Sequence, residues 1–151
     1  MKLSFTTNRH RRHSSRTGSA IVEMAVCFPV FMLILMGIIE FGRAMSVNQM
    51  LNSACRIGCR AAILDGSSNS SVTSVIKQHV TSTIGCEQSI ITVAITATSS
   101  RTGSALSDVS QASTGDMIKL DVSVRFADVS WAVKDWMGGS KIRGKCSMQH
   151  E

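Results

Sequence analysis

"RTGSAIVEMAVCFPVFMLILMGIIEFGRA", residues 16–44, decides how the rest of the chain is read. No charged side chain occurs between Met24 and Ile39, yet Glu23 stands at the entry of that apolar run. As a helix, the segment from Ser19 to Ile39 is about 31 Å long at about 1.5 Å per residue, which matches a hydrocarbon core of about 30 Å. A single membrane-spanning helix over residues 19–39 is therefore expected. Pro29, the only proline in the chain, removes one backbone hydrogen bond and is expected to kink or loosen that helix locally.

The net charge of +6 belongs mostly to the residues before the span. Lys2, Arg9, Arg11, Arg12 and Arg16 precede Gly18 and no acid does, so the remainder is close to neutral. Binding of nucleic acid needs a clustered basic face on the folded part, and none is legible. Five cations on one side, against Arg43 and then Arg56 on the other, favour a cytoplasmic N-terminus and an exported C-terminal part. No small-x-small cleavage signal follows the apolar run, so the segment reads as retained.

Residues 1–18 read as a basic leader, 19–39 as the transmembrane helix, 40–65 as its exported continuation and 66–151 as an extracytoplasmic domain. Beyond Arg43 the apolar residues Val47, Met50, Leu51, Ala54, Ile57, Gly58, Ala61 and Ala62 keep a helical spacing to about Leu64. Asp65-Gly66 and the serines after it mark a linker. Val72, Val75, Ile76, Val80 and Ile84 predict a second, short helix ended by Gly85.

From there the period changes to two. Ile91, Val93, Ile95 and Ala97 predict one strand; Ile118, Leu120, Val122, Val124 and Phe126 predict another. Residues 99–115 read as loop, Trp131 and Trp136 as an irregular or single-turn segment closed by Gly138-Gly139. In the last strand Ile142, Gly144, Cys146 and Met148 face one way, Lys141, Arg143 and Lys145 the other. The expected fold class is α+β: a long N-terminal helix, then a small domain with a short helix and a three-stranded antiparallel sheet.

The four cysteines beyond the span, Cys55, Cys59, Cys86 and Cys146, fall on the side assigned to an oxidising compartment, and are candidates for disulfides with three pairings open. Cys55 and Cys59 are i,i+4, a spacing that can also serve a metal, but no histidine lies near them, and small buried residues or structural disulfides fit better. The small side chains of Ala44, Ala54, Gly58, Ala61 and Ala62 suit either bundling with other helices or packing against the chain's own domain. Glu40 and Arg43 read as an anchor pair at the outer membrane boundary. The strip Lys141, Arg143, Lys145 suits lipid headgroups or a protein partner, or protects a sheet edge, which is the favoured reading. No catalytic constellation and no cofactor motif is present in the sequence, so no enzymatic activity is expected.

Glu23 has two readings. It either snorkels or serves the positive end of the helix dipole, or it answers a new N-terminus. A cut after Gly18 would make Ser19 a free ammonium one helical turn from Glu23, and pairing with that amine or a neighbour's would offset the cost of burying both charges.

With its basic leader, Gly18, Glu23 five residues beyond it, Pro29 in the apolar run, the "GIIEFGRA" exit and the helix "SACRIGCRAA", the segment 16–62 resembles the TadE-like family, pseudopilins of the tight-adherence (Flp) pilus system. The resemblance implies cleavage between Gly18 and Ser19 by a prepilin peptidase of the bacterial inner membrane. It implies a single-pass protein whose partners are the bilayer, other pilins and the pilus assembly platform. A mature chain from Ser19 to Glu151 is long for a main filament subunit, which points to a minor pseudopilin at the pilus base or within the filament. The alternative function is an unprocessed signal-anchored binding or sensor protein.

Overall fold

The computed structural model describes residues 16–64, 66–130 and 139–150. Asp65, Trp131, Trp136 and Gly138 lie outside the described residues, as does the leader up to residue 15. The chain divides into two units, Met1–Met36 and Gly37–Glu151.

Helix α1 spans Arg16–Ile63, starting before the expected Ser19 and containing Pro29 without interruption. In the first unit its side chains from Gly18 onward are exposed, apart from the half-exposed Leu35.

In the second unit the character of α1 changes to amphipathic. Val47, Leu51, Ala54, Cys55, Cys59 and Ala62 are buried, at spacings of three and four that place them on one face. That face lies in the main core, so the small residues Ala54, Gly58 and Ala62 serve packing within the chain's own domain. Helix α2 (Asn69–Ile84) begins at Ser68, whose hydroxyl accepts from the Ser71 N–H while Ser71 Oγ accepts from the Ser68 N–H. It ends at Gly85, whose φ of 77° is the left-handed C-terminal conformation glycine supplies at least cost. Its buried stripe is Val72, Ile76 and Val80. Val75, expected on the same face, is exposed, because the stripe follows i+4 steps and position 75 is turned about 60° off it.

The sheet has four antiparallel strands in the order β2-β1-β3-β4. They are β1 (Thr92–Thr98), β2 (Ala105–Leu106), β3 (Met117–Arg125) and β4 (Lys141–Gln149). The three expected strands are present; β2, inside the segment read as loop, is the addition. It pairs Ala105 with Thr98 and Leu106 with Ala97 after a turn through Gly103. Two residues are too few to display an alternating pattern, which is why β2 escapes a periodicity argument. Phe126, expected to extend β3, instead starts the single turn α3 (Phe126–Val129) and remains buried.

One sheet face is apolar. Ile118, Leu120, Val122 and Val124 of β3 are buried, flanked by Ile95 and Ala97 of β1 and by Ile142, Cys146 and Met148 of β4. The helical side of the core covers it: Gly58 of α1 lies against Ile76 of α2 and Leu120 of β3. Each large apolar side chain buried there contributes about 1.5–3 kcal/mol.

Two polar devices close the ends of this core. Arg43 Nε donates to the carbonyl of Val129, so this residue, expected only as a boundary anchor, ties α1 to the end of α3; its neighbour Glu40 is buried. The buried Asp116 accepts from Ser100 N–H (2.8 Å), Ser100 Oγ (3.1 Å) and Ser113 N–H (2.9 Å). These bonds hold the loop between β1 and β3, and they keep the Asp116 carboxyl below its ordinary range, the Ser113 and Ser100 N–H groups acting most strongly.

At Gly144 the backbones of α1 and β4 come into direct contact. A Cβ built on Gly144 would stand 2.5 Å from Leu51 C and 2.7 Å from both Leu51 O and Asn52 N, all backbone atoms. Beside it the Lys145 N–H donates to Asn52 Oδ1 at 3.1 Å.

Gly144→Ala is therefore expected to destabilise the domain by about 3 kcal/mol, the upper end for overpacking, since neither backbone can move aside cheaply. Gly42→Ala, in open space on α1, should be neutral or stabilising by up to about 1 kcal/mol. Thermal unfolding of the detergent-solubilised protein followed by circular dichroism reads both. For Asp116, a depressed folded-state pKa means stability that is present above the ordinary value of 3.8 and lost as pH falls below it. The urea midpoint of Asp116→Asn should lie under that of the parent at pH 7, with the gap closing below pH 3.8.

Candidate processing and assembly site

Gly18 and Ser19 lie near the start of α1, where sequence reasoning places a cleavage site. A Cβ on Gly18 would meet nothing within 4 Å, so the position is open to an approaching protein. Ser19 and Glu23 sit one turn apart on the same helix face, and Ser19 Oγ donates to Glu23 Oε1 at 3.4 Å. The expected i,i+4 proximity is thus present. Pro29 follows within the helix.

The residues around this pair are large, apolar and exposed: Ile21, Val22, Met24 and Val26, then Phe28, Val30, Phe31 and Leu33. The helix is long and apolar enough to cross a membrane, and its apolar stretch is not buried within the protein. A surface of this kind is stable only in an apolar environment, and one such N-terminal helix fits a single-pass membrane protein.

The candidate cysteines occupy two places. Cys55 and Cys59 are fully buried in the core, and β4 brings the half-buried Cys146 to them. Burial is the main cause that pushes the Cys55 thiol up to about 11 and the Cys59 thiol up to about 12. After burial, the neighbouring Cys146 adds to the rise at both thiols, and the backbone of Val122 partly offsets it at Cys55. Cys86 lies just beyond the end of α2, its pKa raised chiefly by burial, with Asp128 as a lesser cause. All are thiols in this structure, as is the exposed Cys27. Among the described residues no group of three or more His, Cys, Asp or Glu side chains is arranged to hold a metal ion.

Lys141, Arg143 and Lys145 are exposed on the edge strand, and Lys145 Nζ stands 3.7 Å from Asp121 Oδ2 of β3. His79 lies half-buried on α2. Sequence reasoning missed two contacts that seat α1, Asn52 to Lys145 and Arg43 to Val129. A glycine in the middle of a strand was the available signal for the first, since it often marks the close approach of another backbone. Nothing in the sequence pattern announces the second.

No curated protein and no solved structure matches the chain. The part that does match a known family is the part that carries Gly18, Ser19, Glu23 and Pro29: residues 18–60 match the TadE-like protein family, the one the leader-to-helix motif resembles.

Proposed function

We propose that the chain is made as a prepilin, cut between Gly18 and Ser19 by a prepilin peptidase at the cytoplasmic face of the bacterial inner membrane. Its mature form then acts as a TadE-like minor pseudopilin in assembling a tight-adherence pilus or a related secretion apparatus. The observation that carries this reading is the pair Ser19–Glu23, one turn apart at the start of an exposed apolar helix and already within hydrogen-bond reach. A lone carboxylate costs about 2.5–3.5 kcal/mol at mid-membrane and less toward the end, so its presence calls for a compensating charge. A free amine at Ser19 supplies one. The match of residues 18–60 to the TadE-like family supports the same reading. The remainder of the chain acts by packing and docking, with the bilayer, other pilins and the assembly platform as its partners, and without a cofactor or catalytic chemistry of its own.

Intact-mass analysis of the membrane form from cells with an active prepilin peptidase should show a chain starting at Ser19, and Gly18→Ala should retain the leader. A parent protein still carrying residues 1–18 would instead favour an unprocessed, signal-anchored binding or sensor protein.

Glu23→Gln removes the charge and keeps the shape. It should be inserted and cut normally but reduce piliation, counted by electron microscopy, at least tenfold. Normal piliation by this variant would refute the pairing role.

A further inference from the structure

We propose that the hollow between α1 and the start of β4, just beyond the apolar span, holds the phosphate of an anionic phospholipid headgroup, with Lys141 and Arg143 as its cationic partners. The site rests on the membrane-spanning reading of α1 and is independent of the cut after Gly18.

The level of the hollow follows from the chain itself. Gly37, Ile38 and Ile39, the last residues of the span, belong to the second unit, so the bilayer boundary is marked within that unit. β4 runs beside α1 in the same direction. Lys141 and Arg143 line the hollow with Phe41, Met45 and Asn48, Gly144 meets Leu51 and Asn52, and Met148 lines a second hollow with Ile63. The first residues of β4 are therefore the ones nearest the span. At about 1.5 Å per residue, Phe41 stands about 3 Å and Met45 about 9 Å beyond Ile39. The polar layer on each side of the hydrocarbon is roughly 5–8 Å thick, so Phe41 lies within it and Met45 at its outer edge. The flexible stems of Lys141 and Arg143 let their charged ends reach the same layer.

Two kinds of surface meet there. Phe41 and Met45 are 69% and 52% exposed, so the apolar surface of α1 continues past the span on this side. Glu40, the acid at this level, is buried and does not line the hollow. Lys141 and Arg143 are exposed, and neither forms an ion pair among the described residues. Lys141 also stands opposite Arg125 in the ladder. Like charges in that position repel, and the Asp128 carboxylate, 3.0 Å from Arg125 Nε, serves only one of the two. An anion beside Lys141 relieves the remainder.

Protection of a sheet edge accounts for the cations but not for the bare Phe41 and Met45 next to them. A free phosphate would leave that apolar floor in water. A phospholipid accounts for both features. Its glycerol and acyl carbons cover the floor, and its phosphate accepts from the planar guanidinium of Arg143 and from the Lys141 ammonium. The hollow, about 590 Å³, lies within the ~300–1,000 Å³ usual for small-molecule clefts.

Native mass spectrometry of the full-length protein in a neutral detergent, titrated with phosphatidylglycerol or phosphatidylcholine, reads the site. The parent should bind the first phosphatidylglycerol at least about tenfold more tightly than phosphatidylcholine, since each basic residue at an anionic lipid surface contributes about fivefold. Lys141→Gln combined with Arg143→Gln should abolish that preference. Arg56→Gln combined with Arg60→Gln, the same charge change on the exposed face of α1 farther from the span, should keep it. Equal binding of the two lipids by the parent overturns the proposal and leaves the cations to an acidic protein; equal loss in both double variants overturns it too. The single variants Lys141→Gln and Arg143→Gln should each weaken phosphatidylglycerol about fivefold, which keeps the test decisive if the double variant misfolds. No change in either refutes the site. Displacement of the lipid by inorganic phosphate at matched ionic strength would overturn the lipid assignment in favour of a soluble anion. Alkaline carbonate extraction of membranes tests the span separately. A released chain overturns the span and this site together, whereas a retained chain without lipid preference overturns the site alone.

Discussion

The absence of a side chain at Gly144 governs how the second unit is put together. β4 is an edge strand, held on one side by β3. Its inward face has to meet α1, and at Gly144 it does so backbone to backbone. Such contact leaves no room for water, so the polar groups beside it need protein partners. Asn52 meets that need. Its side-chain oxygen takes the Lys145 N–H, while its amide donates to Asn48 Oδ1 one turn earlier. A second gap, at Gly58, receives Ile76 of α2 and the end of Leu120. Two glycines on facing elements thus decide how deeply the helix sits, and Ala54, Cys55, Cys59 and Ala62 fill the shallow space that remains.

The two units put the same helix to different physical use. In the first, apolar residues surround the axis and are exposed, and the interior of a membrane is the solvent that suits them. In the second, the apolar residues narrow to one stripe, while Ser46, Gln49, Ser53, Arg56 and Arg60 face solvent. The change comes at Glu40, where a buried carboxylate replaces the uncharged run. Helical propensity does not distinguish these stretches. What distinguishes them is how far round the helix the hydrophobic surface extends, which composition alone determines.

Much of this was readable in advance because it is periodic. The stripe on α1, the core of α2, and the inward residues of β1, β3 and β4 obey periods of 3.6 or 2, and each is where its pattern puts it. The departures share a physical cause, dependence on contacts distant in sequence. β2 exists because Gly103 turns the chain back on β1, and Val75 lies outside the stripe by a fraction of a turn. Whether Ala54, Gly58 and Ala62 face a second protein or the chain's own sheet was undecidable from the residues, since small side chains permit either; the position of Leu120 and Ile76 decides it. At the N-terminus the outcome is reversed. The Ser19–Glu23 proximity is local, one turn of helix, and so was legible from spacing alone.

That local pair also shows why the proposed cut matters energetically. α1 starts at Arg16, so in the uncut chain the four N–H groups without helical partners are those of residues 16–19, a full turn or more before Glu23. Removal of residues 1–18 would make Ser19 to Val22 the first turn. Their free N–H groups, worth about half a positive charge in sum, would join a full charge on the new amine. All of that positive potential would fall within one turn of Glu23, whose carboxylate already reaches Ser19 Oγ. Before the cut Glu23 is an isolated charge bordering an apolar surface. After it, the same side chain faces the most positive end a helix can present. Cleavage alone would then turn a residue that disfavours burial in the bilayer into one that holds the new terminus in place.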